Sequence, residues 1–246
     1  MTTLEVYRND LFDKNGVPNA VFPCEPEYDI PWLRQDLEGD FVDLPMNTWG
    51  AKARTSAHPG TINFYTVDAK FSTVWKNPYQ IVDSDCTTIC ETNYTVSLYT
   101  PKAVLLEKIY RKRWLSRFFQ EYGIRVFVDM LMPTEFAKYA LLGVPKGWRA
   151  YSTRGYDKRL ESLELTVDVC KSHRGGDDIL MLVYGGGKLV RSYCAQNGLI
   201  YIPEDADVKR GKHLEFFDVK QCLNQRTRNE SQVKAEEQQS VGIRAF

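Results

Sequence analysis

The central part of the chain alternates between short apolar runs and longer segments in which apolar residues recur at helical spacing. The runs rich in β-branched and aromatic residues predict strands at residues 61–67, 94–99, 125–131, 149–153, 179–184 and 199–202. The helical patterns cover residues 101–122, 135–142, 158–172 and 187–197. Strands that alternate with helices in this way predict an α/β fold of repeated strand–helix units around a mostly parallel sheet.

The length of each unit bears on whether this sheet is open or closed. A repeat of about 25–30 residues fits both an open sheet and part of a barrel. The predicted strands are short, and no glycine-rich dinucleotide fingerprint follows the first of them. These two features favour a barrel-like or half-barrel sheet.

The segments before and after the predicted α/β region lack its alternation of strands and helices. Residues 1–58 combine many turn formers with large aromatic residues, which predicts an irregular N-terminal arm packed on the main domain. Residues 59–212 form the predicted α/β domain, and residues 213–246 form a polar C-terminal extension with little apolar content. We expect a protein partner, if there is one, to dock on the arm or on this tail.

Net charge, apolar runs and cysteine content bear on the partners and the cellular compartment of the protein. Lys plus Arg equals Asp plus Glu at 32 each, so a nucleic-acid partner needs a local basic patch. The first residues lack the pattern of a signal peptide, and no apolar run is long enough to cross a bilayer. The six cysteines are scattered through a chain long enough to form its own core, which favours reduced thiols. These features predict a cytoplasmic protein without membrane contact.

Candidate chemistry follows from a rule of parallel sheets, in which ligands gather at the carboxyl ends of the strands. This rule selects Tyr99 and Asp129 as candidates for acid–base catalysis. It also selects Ser152, Thr153 and Arg154, which follow the fourth of these strands, as anion-binding candidates. An arginine holds a phosphate or carboxylate through two parallel hydrogen bonds, although the two hydroxyls could equally cap the next helix.

A glycine run follows the next apolar strand. Gly185, Gly186, Gly187 and Lys188 lie between that strand and a helix, where backbone N–H groups could cradle an anion. The run lacks the spacer of a P-loop, and Leu189 stands where Ser or Thr would bind magnesium. A tight strand–helix turn without a ligand is the favoured interpretation.

The helix predicted at residues 101–122 is the most basic element of a neutral chain. Arg111, Lys112 and Arg113 lie at its centre, beside an apolar stripe that indicates a core-facing side. We expect Arg111 and Lys112 to face solvent, where they could bind nucleic-acid phosphates. A solvated charged face without a partner is the commoner arrangement.

Signals for metal binding or covalent catalysis are weak. The three histidines are far apart, and no Gly-x-Ser-x-Gly turn is present. Cys86 and Cys90 form a single pair in a strand-like stretch, which is poor evidence for zinc. We therefore assign no metal ligand, and the sequence leaves any cofactor unknown.

Several short motifs occur in a recognisable order within roughly residues 75–187. They are Ser97-Leu98-Tyr99, Tyr110-Arg111-x-Arg113-Trp114 with Arg117 and Gln120, Gly123-Ile124-x-Val126, Gly143-Val144-Pro145-Lys146-Gly147, Ser152-Thr153-x-Gly155 and Val183-Tyr184-Gly185. Their order resembles that of an uncharacterised bacterial and phage family of domains of unknown function, family 4417. An Asp that usually precedes the Ser-Leu-Tyr step in that family is absent here, where Thr95 and Val96 stand. The resemblance implies the fold and a context of mobile DNA, and it brings no known activity.

Two functions from different classes remain open. The first is a nucleic-acid-associated protein of a phage or other mobile element, which contacts phosphates through the basic helix and the strand-end loops. The alternative is an enzyme that acts on a small anionic metabolite or nucleotide at the C-terminal face of the sheet, with Asp129 or Tyr99 in acid–base work. The sequence does not decide whether the protein is an enzyme.

Overall fold

The described residues of a computed structural model, which are 11–19, 21–50 and 59–204, contain a seven-stranded sheet. Its strands are β1 (Met46–Thr48), β2 (Gly60–Asn63), β3 (Cys86–Cys90), β4 (Arg125–Asp129), β5 (Ala150–Arg154), β6 (Leu180–Tyr184) and β7 (Ile200–Ile202). They lie side by side in chain order, and each is parallel to its neighbours. The predicted α/β fold with a parallel sheet is confirmed.

Helices occupy the connections between these strands. They are α1 (Ser72–Lys76), α2 (Tyr79–Val82), α3 (Lys102–Gln120), α4 (Ala137–Ala140), α5 (Leu160–Arg174) and α6 (Lys188–Gln196). The longest, α3, begins after Pro101 and ends before Gly123, as the sequence predicts. Among the described residues, none of these helices is both long and apolar enough to cross a membrane.

The sheet is strongly curled. Four strands separate β1 from β6, so on a flat sheet these two strands would lie about 24 Å apart. Instead, Thr48 Oγ1 on β1 lies 3.1 Å from the Tyr184 hydroxyl on β6. The ring of Tyr65, just after β2, stacks on that of Tyr184 with 5.6 Å between the ring centroids. These contacts across the concave face confirm the predicted half-barrel.

Burial explains why most strands could be read from the sequence. All five residues of β6 are buried, as are the last four of β4 and the first four of β5. Strands covered on both faces read as continuous apolar runs, because helices cover one side and the barrel interior the other. The predicted strands near residues 125, 149, 179 and 199 therefore match β4 to β7 closely.

One predicted strand is wrong. Residues 94–99 form a loop, and the strand before α3 is Cys86–Cys90 instead. Asp68 draws the start of that loop away from the sheet, because its carboxylate accepts hydrogen bonds from the Thr95 amide and hydroxyl at 3.1 and 2.7 Å. At the other end of the loop, the Tyr99 side chain is 94% exposed, so the aromatic content of this run marks a surface rather than a core strand.

The described residues before β2, which are 11–19 and 21–50, contribute side chains to the hydrophobic core of the domain. The rings of Phe12 and Phe22 lie 5.5 and 5.9 Å from that of Trp114 on α3. Strand β1 belongs to this segment and pairs with β2, although the sequence predicts no strand there. The domain boundaries at residues 58 and 212 stay predictions, and the polar extension at 213–246 lies outside the described residues.

Gly143 provides a test of how closely the chain segment around Pro31 packs against the main domain. Its φ is +69°, and a Cβ at this position would lie 2.2 Å from the carbonyl oxygen of Pro31. Gly123 has a similar φ of +77°, but a Cβ there would meet nothing within 4 Å. We expect Gly123→Ala to lower the free energy of unfolding by about 1 kcal/mol through backbone strain alone. Gly143→Ala should cost at least about 2 kcal/mol more, because the arm must shift as well.

Urea unfolding of both variants and of the wild-type protein measures this difference. Equal losses for the two alanine variants would show that residues near Pro31 do not pack on Gly143 in solution.

Candidate functional site

The concave face of the sheet gathers polar side chains at its carboxyl edge. Cross-strand pairing puts Asn63 beside Thr48, Asp129 beside Ser152, and Arg154 beside Tyr184. Since alternate residues of a strand point to one face, this register places all six on the side where Thr48 meets Tyr184. A half-barrel fold thus brings together residues that are far apart in the sequence.

A cluster of charged groups is buried directly behind this edge. Arg113 Nη1 of α3 lies 2.5 Å from Glu91 Oε1, and both side chains have no solvent exposure. Lys112 Nζ donates to the backbone oxygen of Asp129 at 2.6 Å and lies 3.5 Å from its carboxylate. The second oxygen of Glu91 accepts the Asp129 amide at 3.1 Å. The cluster therefore ties α3 to the ends of β3 and β4.

Asp129 connects this cluster to Tyr65. The Tyr65 hydroxyl donates to Asp129 Oδ1 at 3.3 Å, and the Leu131 amide donates to the same oxygen at 3.1 Å. Burial raises the pKa of Asp129 to about 6 even though Lys112 is close, because loss of water outweighs the attraction of one cation. Burial, together with the charge of Asp129, also raises the pKa of Tyr65 well above its usual value. Tyr65 is thereby kept as a neutral hydrogen-bond donor.

A cavity of about 1100 Å³ opens at this edge, and we call it the carboxyl-edge cavity. Loops after β2, β3, β4 and β5 and the first turns of α5 line it. Its lining residues are Tyr65, Thr66, Val67, Asn93, Thr95, Val96, Ser97, Leu98, Tyr99, Met130, Leu131, Met132, Pro133, Thr134, Glu135, Thr153, Arg154, Tyr156, Arg159, Ser162, Leu163 and Thr166. This is the place where parallel α/β folds bind ligands.

The cavity has a buried floor and an exposed rim. Tyr65, on the floor, is 4% exposed, whereas Val67, Leu98 and Tyr99 on the rim are 62%, 56% and 94% exposed. Apolar side chains that are exposed together beside a cavity are typical of a surface that a ligand or partner covers.

The two catalytic candidates occupy different positions. Asp129 is 1% exposed, and its Oδ1 accepts hydrogen bonds from two residues that line the cavity, Tyr65 and Leu131. Tyr99 lies on the rim, because the run predicted as a strand is a loop. The structure brings Asp129 and Tyr99 to one cavity but not into contact.

The basic helix differs from its prediction. Lys112 is 3% exposed, so the expectation that it faces solvent is wrong. It follows Leu105 and Ile109 at helical spacing, and this stripe faces the protein interior. Arg113 is also fully buried and is paired with Glu91. Of these three residues, Arg111 is the one that is partly exposed; it is paired with Glu107, and its guanidinium lies 5.0 Å from the centre of the Trp75 ring.

The glycine turn already holds an anion that belongs to the protein. Asp157 Oδ1 accepts the amides of Gly187 and Val190 at 2.8 and 3.1 Å. A ligand in the possible cradle at Gly185, Gly186 and Gly187 would have to displace this carboxylate from the Gly187 amide. Lys188 is exposed on the first turn of α6.

The Ser152-Thr153-Arg154 run forms the end of strand β5 and reaches the cavity. Thr153 and Arg154 line it, while Ser152 is fully buried beside Cys90 and Tyr65. The guanidinium of Arg154 is paired with Glu204 at 2.7 Å and lies 5.3 Å from the centre of the Tyr156 ring. Of the anion-binding candidates, only Thr153 and Arg154 line the cavity.

Metal ligation finds no support in the described part of the chain. It contains no group of three or more His, Cys, Asp or Glu side chains that could hold an ion. Cys86 and Cys90 are buried free thiols, and burial raises the pKa of both. A protonated buried thiol is a poor metal ligand.

Sequence reasoning missed three residues that shape the site, namely Tyr65, Arg159 and Glu204. Tyr65 sits inside a predicted strand, Arg159 in a predicted helix, and Glu204 beyond the last strand. None carries a local motif, since each acquires its position from the curl of the sheet. Their placement after the ends of β2, β5 and β7 was the one signal available.

Comparisons with known proteins agree with the motif order noted above. A family model described as a domain of unknown function (DUF4417) matches residues 22–171. The gene 1 protein of Mycobacterium phage L5 is 28% identical over 132 residues, which cover 51% of this chain and 56% of that protein. The gene 1 protein of Mycobacterium phage D29 is 25% identical over 132 residues, or 51% of this chain and 48% of that protein. The chain thus spans about half the length of these curated relatives, and no solved structure matches it.

The buried ion pair between Glu91 and Arg113 should contribute strongly to the free energy of unfolding. Glu91→Gln removes the charge that compensates Arg113, and we expect it to lower the free energy of unfolding by about 3–5 kcal/mol. The control is Asp178→Asn, which breaks surface pairs with Arg149 at 3.1 Å and with Arg174 at 3.7 Å and should cost about 1 kcal/mol or less. Urea unfolding at neutral pH measures both. Equal costs would mean that the cluster does not hold the edge together.

Proposed function

The chain belongs to the DUF4417 family, and we propose that it is an enzyme acting on a small anionic metabolite or nucleotide in the carboxyl-edge cavity. One observation carries this proposal. Tyr65, which lines the cavity, donates a hydrogen bond to a buried carboxyl group whose pKa is raised to about 6. Groups with a perturbed pKa beside a cavity are characteristic of catalytic sites.

The geometry suits the removal of a proton from the ligand. The Tyr65 oxygen takes a proton from an acidic group of the ligand while the Tyr65 proton passes to Asp129 Oδ1. No phenolate forms, which agrees with the raised pKa of Tyr65. The Asp129 carboxylate accepts the proton, and Lys112 stabilises the carboxylate before transfer. Positioned groups of this kind typically accelerate proton transfer by about 10²–10⁴-fold.

The remaining lining supplies binding rather than chemistry. Arg154 and Arg159 carry positive charge, and Ser97, Ser162 and Thr166 offer hydroxyl groups. This mixture of cationic, hydroxyl-bearing and apolar side chains matches a site for a small organic anion.

A role on nucleic acid is the second candidate, in keeping with relatives from phages. The observation that favours it is the rim, where Tyr99 is exposed and the Arg159 guanidinium lies 5.7 Å from the exposed Tyr156 ring. Exposed aromatic rings with a guanidinium are typical of surfaces that stack single-stranded bases. We propose in either case that the protein serves a phage or other mobile element. Lys112 and Arg113 of helix α3 take no part in this role, because both are buried.

Tyr65→Phe tests the proposal directly. A defined panel of nucleotides and of phosphorylated and carboxylated metabolites is incubated with the protein, and mass spectrometry identifies any compound consumed. For that compound we expect kcat to fall by about 100-fold or more in Tyr65→Phe and in Asp129→Asn. KM should change little, since neither change removes a cavity cation. Because the carboxylate is the accepting form, kcat/KM of the wild-type protein should rise with pH to a plateau above about 6.

Tyr184→Phe is the matched control. It removes a hydroxyl from the other ring of the same stacked pair, and Tyr184 does not line the cavity. Its turnover should stay within a few-fold of the wild-type value. Turnover retained in Tyr65→Phe would refute the proton relay. If no compound is consumed but single-stranded oligonucleotides bind with a steep salt dependence, and Tyr99→Ala weakens that binding, the second candidate is correct.

A further inference from the structure

Two arginines converge on a single aromatic ring at the cavity wall. The guanidinium carbons of Arg154 and Arg159 lie 5.3 and 5.7 Å from the centre of the Tyr156 ring. All three residues line the carboxyl-edge cavity. An aromatic ring face attracts guanidinium groups and fixes their orientation. The N–H groups at the edges of each guanidinium can then donate hydrogen bonds to a ligand.

These two cations differ in how they are neutralised. Arg154 is half-buried, and its Nη2 and Nε lie 2.7 and 3.2 Å from Glu204 Oε1. Arg159 is exposed, and within the described residues no carboxylate lies within ion-pair distance of it. Asp157, its near neighbour in sequence, is engaged by the amides of Gly187 and Val190. The other charged residue of the cavity lining is Glu135, on the loop after β4.

We propose that Arg154 and Arg159 form a subsite for a phosphate group of the ligand, and that Glu204 holds Arg154 until the phosphate replaces it. This inference rests on the proposed function and specifies its substrate class as a phosphorylated compound. A phosphate presents three acceptor oxygens and close to two negative charges at neutral pH, so it satisfies two guanidinium forks at once. A carboxylate, with two oxygens and one charge, satisfies one fork.

Glu204 fits the role of a displaceable counter-ion. Its side chain is about as exposed as that of Arg154, at 28% each, so separating the two charges leaves neither without access to water. It follows β7 and does not itself line the cavity. By contrast, the buried Glu91–Arg113 pair cannot open without leaving a charge in the core.

Inorganic phosphate is the probe for this subsite. Its affinity for the full chain is measured by calorimetry and by ³¹P line broadening, against acetate at matched ionic strength. We expect Arg159→Met to weaken phosphate binding by about 10-fold or more, as for loss of a charge-assisted contact. Glu204→Gln should strengthen phosphate binding several-fold, because it keeps the shape of the side chain but removes the competing charge. Acetate should bind more weakly than phosphate to the wild-type protein and to Glu204→Gln, which keep both arginines.

Arg149→Met is the control, since it removes a partly exposed arginine paired with Asp178 before the amino end of β5. It should leave phosphate affinity unchanged. Equal phosphate affinity in Arg159→Met and the wild-type protein, or a loss of affinity in Glu204→Gln, overturns the subsite. The proposed function has a separate criterion: a non-phosphorylated compound turned over in a Tyr65-dependent manner preserves it while the subsite fails. If nothing binds and nothing is turned over, both fail.

Discussion

The buried ion pair between Arg113 and Glu91 is the contact on which the arrangement of the carboxyl edge depends. Arg113 also donates to the backbone oxygens of Leu142 and Ala140 at 2.9 and 2.6 Å, so one guanidinium links α3, the end of β3 and the α4 region. Desolvation lowers the pKa of Arg113, and the charge of Glu91 opposes part of this shift. A charge without solvent exposure is stable only when fully paired, and this condition fixes the geometry of its neighbours.

The site follows from that constraint. With α3 held against the sheet, Lys112 must face Asp129, and Asp129 must meet Tyr65 across the concave face. The floor of the cavity is therefore preorganised, as acid–base chemistry requires. The rim instead presents the exposed side chains of Leu98 and Tyr99 to a ligand. In this account, the floor residues carry out proton transfer, and the rim residues contact the ligand.

The features that could be predicted from the sequence are those that depend on residues close together in the chain. The apolar run of β6 and the start and end of α3 are local, and both were correct. Lys112 was misplaced although it lies at helical spacing from Leu105 and Ile109, because a lysine is stable on an interior face only with a carboxylate partner, and Asp129 lies 17 positions later. Glu91, the partner of Arg113, lies 22 positions earlier. The cavity could not be assembled from the sequence either, since it depends on the curl that brings β6 back to β1.

The most direct test of the central claim is a carbon-detected NMR titration of the Asp129 carboxyl group together with the ring signals of Tyr65. Asp129 should titrate with a midpoint near pH 6, and the Tyr65 ring should report the same midpoint because its hydroxyl donates to that carboxyl group. A midpoint near the ordinary value of about 4, or a Tyr65 ring that does not respond, would contradict the account.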